Sequence, residues 1–244
     1  MFENQETQYT PEYTIQISSQ KNKFYGLIVG TFAIALLITF ALTFAFTKIF
    51  NWTASTPSLL PIEVQIGLLI TFLILGIISL IVVNTKKRPI WIQLIALIFI
   101  MIFFATAFSS LIEIYDLSNS WKLLALLAAP ALIMAIAGIL GYFELVKIQA
   151  ISVFAIILCL PLIGLLIASF FIYNATMDRL ICSISLGILV LSSILNFWII
   201  KKKADAMQFE SSKEVIKEGI YWGTKCYVLY MEIAYYLIRI FGKK

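Results

Sequence analysis

The chain has 244 residues, 61% of them hydrophobic and only 13% charged, with a mean hydropathy of +0.98. Soluble domains carry about twice that charged fraction, so the composition excludes an ordinary water-soluble globule and defines an all-α polytopic membrane protein. The net charge of +5 is no nucleic-acid footprint, because Lys and Arg in such proteins mostly set orientation, and the absence of histidine removes His metal sites, His dyads and His proton relays.

Residues 1–23 carry Glu3, Glu6, Glu12, Lys21 and Lys23 and read as a polar cytoplasmic tail, too acidic and too long for a signal-peptide n-region. A span needs about 20 apolar residues. Candidates follow at about 24–46, 66–83, 90–111, 123–143, 148–173, 180–200 and 219–242, which makes 24–242 a single seven-helix membrane domain. The connections are short except 47–65 and the basic loop 201–218, and neither a second domain nor a repeat is visible.

Basic residues fix the expected orientation. The tail holds two, 84–89 three, 144–147 one and 201–218 five, against Lys48, Lys122 and Arg179 in the alternate set. Eleven against three predicts a cytoplasmic N-terminus and six spans. The last segment has two readings. A full crossing puts Lys243 and Lys244 outside, against the charge rule, whereas a re-entrant helix keeps them in.

Pro130 and Pro161 interrupt the fourth and fifth spans as either gating hinges or static kinks. Two GxxxG patterns, at Gly26 with Gly30 and at Gly219 with Gly223, permit close backbone approach. Cys159, Cys182 and Cys226 lie in apolar runs and imply no disulfide framework. Glu113, Asp116 and Glu144 fall at span ends, as solvated termini or as a vestibule that attracts cations. No GxSxG, HExxH, P-loop or GxGxxG occurs, so no enzyme, cofactor or metal site is expected.

The last segment, KCYVLYMEIAYYLIRIFGKK, carries Lys225, Glu232 and Arg239 seven residues apart. Seven residues turn about 700°, so all three share one helix face, with each cation about 10 Å along the axis from Glu232. The cations can snorkel towards the interfaces, but Glu232 sits near mid-depth. At an effective dielectric of about 20 each cation contributes only about 1.7 kcal/mol to holding a carboxylate there. Desolvation costs several kcal/mol, so the group is neutral in a dry bundle and charged in a hydrated cavity. Such a residue marks an ion or proton pathway, or else makes a structural hydrogen bond.

This layout resembles the Bax inhibitor motif family, in length, polar N-terminus, six apolar spans, basic loop and charged C-terminal helix. The similar stretches are NKFYGLIVGTFAIALLITF, LIGLLIASFFIYNATMDRLICSISLGILVL and the ending GTKCYVLYMEIAYYLIRIFG, so the resemblance covers most of 22–242. It implies six helices surrounding the charged C-terminal one. It also implies, as for several bacterial relatives, a pH-sensitive calcium leak closed by paired aspartates on the sixth and last helices. Where the family shows Asp-Thr-Gln this chain reads Asn196-Phe197-Trp198, the other aspartate position is Leu229 with Glu232 one turn later, and the second span has no arginine.

The expectation is therefore a passive cation (calcium) leak in a bacterial cell membrane, with weakened pH gating, lined by Glu232 beside Lys225, Arg239 and Asn196. Asn196 and Glu232 are expected to face each other across neighbouring helices. The rival is a non-conducting scaffold that regulates another membrane protein, such as a quality-control protease. A proton-coupled transporter would show more intramembrane polar residues.

Overall fold

The computed structural model describes residues 11–50, 61–85, 89–115, 120–172, 174–207 and 210–241. Most of the 47–65 connection, the Lys86-Lys87-Arg88 run, Asp116 and the two terminal lysines lie outside the described residues. Seven α-helices make up the described chain: α1 (Pro11–Ile49), α2 (Ile62–Val83), α3 (Ile90–Ile114), α4 (Ser120–Tyr142), α5 (Ile148–Ser169), α6 (Ala175–Ala206) and α7 (Ser212–Phe241). Among the described residues, α1 to α6 each contain a stretch long and apolar enough to cross a membrane, and α7 does not.

Three helices extend past their apolar runs. α1 begins at Pro11, not at residue 24, while α6 and α7 leave only a short connection where a loop over 201–218 was expected. The extensions are polar but held. Lys21 pairs with Asp205 at 2.6 Å, Lys23 bonds Ser212, and Lys203 reaches Glu218 at 3.8 Å. Ser211 caps α7 by accepting the Glu214 N–H, as a serine three residues before a glutamate is placed to do. Glu144 ends α4 in the left-handed region (φ 55°) and pairs with Lys201 at 3.1 Å. One end of the bundle thus gathers Lys21, Lys201, Lys203 and Lys217 beside carboxylate partners and Lys23 beside the Ser212 hydroxyl.

The outward faces of α1 to α5 carry large apolar residues such as Leu37, Ile81, Ile98, Leu132 and Ile156, which in a bilayer meet lipid. α7 is different. It packs on α1, α3, α4 and α6 and lightly on α2, buries Tyr227, Met231, Ile233 and Ile238 completely, and exposes only Phe241 among its large apolar residues. A helix with ionisable residues at membrane depth needs such protein cover.

Close approach is built on one of the two GxxxG patterns. A Cβ on Gly219 would lie 2.7 Å from the Leu27 Cβ, and one on Gly223 would lie 2.7 Å from the Thr31 Cβ and 2.8 Å from the Ile28 carbonyl oxygen. Gly26 and Gly30 have open space where a side chain would be.

Both helices with internal prolines remain helical through Pro130 and Pro161. Pro130 offers no N–H to the Leu126 carbonyl, and the Tyr230 hydroxyl of α7 donates to the next carbonyl, that of Leu127, at 2.6 Å. Tyr230→Phe removes that donor and should lower stability by about 1–2 kcal/mol. In a thermal melt of the detergent-solubilised protein this reads as a drop of roughly 2–8 °C.

Candidate functional site

A cavity of about 620 Å³ lies where α2, α3, α5, α6 and α7 come together, and Glu232 is its carboxylate. Leu73 and Leu80 of α2, Phe103 and Phe104 of α3, and Ile188 and Leu189 of α6 supply apolar walls. Ser185, Tyr235 and Tyr236 add hydroxyls. Among the described residues no hydrogen bond or ion pair engages Glu232. Its position follows from the heptad spacing of the three charges, which keeps them on one side of a straight helix.

Gly76 shapes one wall. A Cβ there would lie 2.6 Å from the Phe103 ring, so the bare glycine lets Phe103 sit between α2 and α3. α2 packs on α3 and lightly on α7, while α6 packs on α4, α5 and α7. Among the described residues, α2 forms no packed interface with α5 or α6.

The other two charges of the face have partners. The Lys225 ammonium stands 5.3 Å from the Tyr221 ring centroid and 5.9 Å from that of Trp222, in cation–π range. Arg239 pairs with Asp178 of α6, which is only 3% exposed. Arg239 also donates to the Tyr235 hydroxyl at 3.4 Å and lies over the Tyr235 ring. Tyr235 therefore joins the ion pair to the cavity.

Asp178 is the site residue that sequence reasoning missed. A hydropathy boundary at residue 180 leaves it in a loop, whereas α6 starts at Ala175. The signal was local: Asn174 caps the helix by accepting the Met177 N–H at 2.8 Å, which puts Asp178 in the first turn.

Asn196 lies elsewhere. α6 and α7 run antiparallel, with Asp178 on Arg239 and Lys203 on Glu218. That register sets Glu232 level with residues 185–189 and Asn196 level with 221–225, about 13 Å away along the axis. The structure brings Glu232, Arg239 and Asp178 around one region and leaves Asn196 and Lys225 towards the basic end. The expected Asn196–Glu232 juxtaposition does not occur, because the short α6–α7 connection fixes the register of the hairpin. Pro130 and Pro161 do not line the cavity. Among the described residues, no group of three or more acidic or cysteine side chains could hold a metal ion.

Fold and site together define a multi-pass helical membrane protein with a cavity that Glu232 lines. Compared with models of known protein families and with curated proteins, the chain matches none.

Proposed function

We propose that this protein is a passive cation leak, calcium being the leading ion, in a Bax-inhibitor-type bundle whose six apolar helices surround the charged α7. The observation that carries the reading is Glu232, a carboxylate in a cavity whose wall is mainly apolar. A charged side chain at mid-bilayer is costly, and pathways for ions are where such residues are retained. The Asp178–Arg239 pair closes one end of the region as a gate, with Tyr235 between gate and cavity. Among the described residues no second carboxylate lines the cavity, so gating by a shared proton is weakened. Pro130 and Pro161 serve as candidate hinges for opening. The cluster of lysines at the other end favours a cytoplasmic position for it, in a bacterial cell membrane.

Purified protein in calcium-free liposomes loaded with a calcium indicator tests this. Wild type should admit calcium at a rate that Glu232→Gln, which keeps size and removes the charge, changes several-fold. The mainly apolar cavity wall favours a second reading, a non-conducting scaffold that regulates another membrane protein. Wild-type liposomes no leakier than empty ones select that reading.

A further inference from the structure

The cavity opens sideways. Leu73 lines it, is 50% exposed and stands at the midpoint of α2, and Ile77, one turn on along the same face, is 48% exposed and outside the lining. Across the gap, Leu162 of α5 and Ile188 of α6 form the facing rim, and both lie near the middle of their helices. With no packed α2–α5 or α2–α6 interface among the described residues, the mouth faces the hydrocarbon layer and not the headgroups.

A molecule entering there must dissolve in hydrocarbon, which excludes hydrated metal ions by this route. The chemistry it meets is specific. Among the described residues Glu232 is the cleft's one carboxylate; of the two cations seven residues away on the same helix, Arg239 is paired with Asp178 and Lys225 lies over the Tyr221 and Trp222 rings, outside the cleft lining. Phe103, Phe104, Tyr235 and Tyr236 line the same cleft as Glu232. Aromatic faces beside an anion are the arrangement that recognises organic ammonium-type cations, and their attraction strengthens where water is excluded. A volume of about 620 Å³ is within the range of small-molecule sites.

We infer that the α2–α6 cleft is a binding site for a lipophilic organic cation, a quaternary ammonium or phosphonium group bearing hydrocarbon or aryl substituents, which enters from the bilayer and places its charge at Glu232. Leu73, Leu162 and Ile188 take the apolar substituents. The inference rests on the cleft and not on conduction, so binding and flux can fail separately.

The experiment is equilibrium binding of radiolabelled tetraphenylphosphonium to the full chain in phosphatidylcholine nanodiscs, with empty nanodiscs subtracted and no ion gradient present. Saturable binding at one site per chain is expected, displaced by unlabelled tetraphenylphosphonium and not by triphenylmethane, a neutral aryl compound. Glu232→Gln should weaken it at least about tenfold, the effect of losing one favourable charge contact of about 1.4 kcal/mol. Ile188→Trp, which fills the rim and leaves Glu232 in place, should weaken it as much. Both variants are compared only if their thermal melts match wild type, and the triphenylmethane arm needs no variant. Wild-type binding no greater than empty nanodiscs overturns the inference. So does equal displacement by triphenylmethane, or undiminished binding in folded Glu232→Gln.

Discussion

Gly223→Leu should cost the protein its fold in detergent. Helix propensity alone predicts the opposite, since leucine is favoured over glycine in a helix by up to about 1 kcal/mol. Packing decides the sign. A Cβ at residue 223 would stand 2.8 Å from the Ile28 carbonyl oxygen and 2.7 Å from the Thr31 Cβ, neither the far end of a flexible side chain. Overpacking against yielding side chains costs about 1–3 kcal/mol, and here α1 itself must move off α7. The expected loss exceeds that range, read as failure to run monodisperse in size exclusion or as a collapse of the thermal melt. Gly26→Leu and Gly30→Leu, with open space at their Cβ positions, should melt like wild type. If all three variants behave alike, α1 and α7 are not packed as described.

The second large effect is at the ion pair. Asp178→Ala leaves the Arg239 guanidinium beside an apolar cleft, and breaking a buried pair by removing one partner costs about 3–5 kcal/mol. Asp178 is nearly inaccessible, but the Arg239 side chain is 25% exposed and keeps the Tyr235 hydroxyl, so the lower end of that range is expected. Asp178→Ala combined with Arg239→Met should recover much of the loss, because no charge is then stranded. By contrast Lys21→Ala, at a pair whose side chains are 36% and 56% exposed, should cost under about 1 kcal/mol. Thermal melts of the four proteins separate these outcomes. A double variant as unstable as the single one would mean that Asp178 acts through something other than Arg239.

How much of this was legible in the sequence differs residue by residue. Glu232 is legible because an isolated carboxylate in an apolar run is an energetic anomaly wherever the chain goes. The shared face of Lys225, Glu232 and Arg239 is legible because helix geometry depends only on spacing. Two GxxxG patterns are visible, but only contact distances show that Gly219 and Gly223 meet α1 while Gly26 and Gly30 meet nothing. The Tyr230 hydroxyl finds Leu127 across 103 residues, and no local signal announces it. Asp178 is hidden for another reason, since hydropathy windows end where polar residues begin, although a helix can carry its first charged turn into the bundle. Asn196 misleads because a motif alignment sets residues in order but not in height. The antiparallel register of α6 and α7 is set by a short connection whose length became evident only when the polar extensions proved helical.

The proposal that Glu232 lies at mid-depth requires that α7 cross the membrane inside the bundle, although α7 is not apolar enough to span by its own composition. The most direct measurement is a set of reporter fusions at residues 1, 210 and 244, read for cytoplasmic or external location in cells. With α7 crossing, the reporters at 1 and 210 register as cytoplasmic and the one at 244 as external. A cytoplasmic signal at 244 would contradict this: α7 would then be re-entrant, and Glu232 would have no claim to the middle of the membrane.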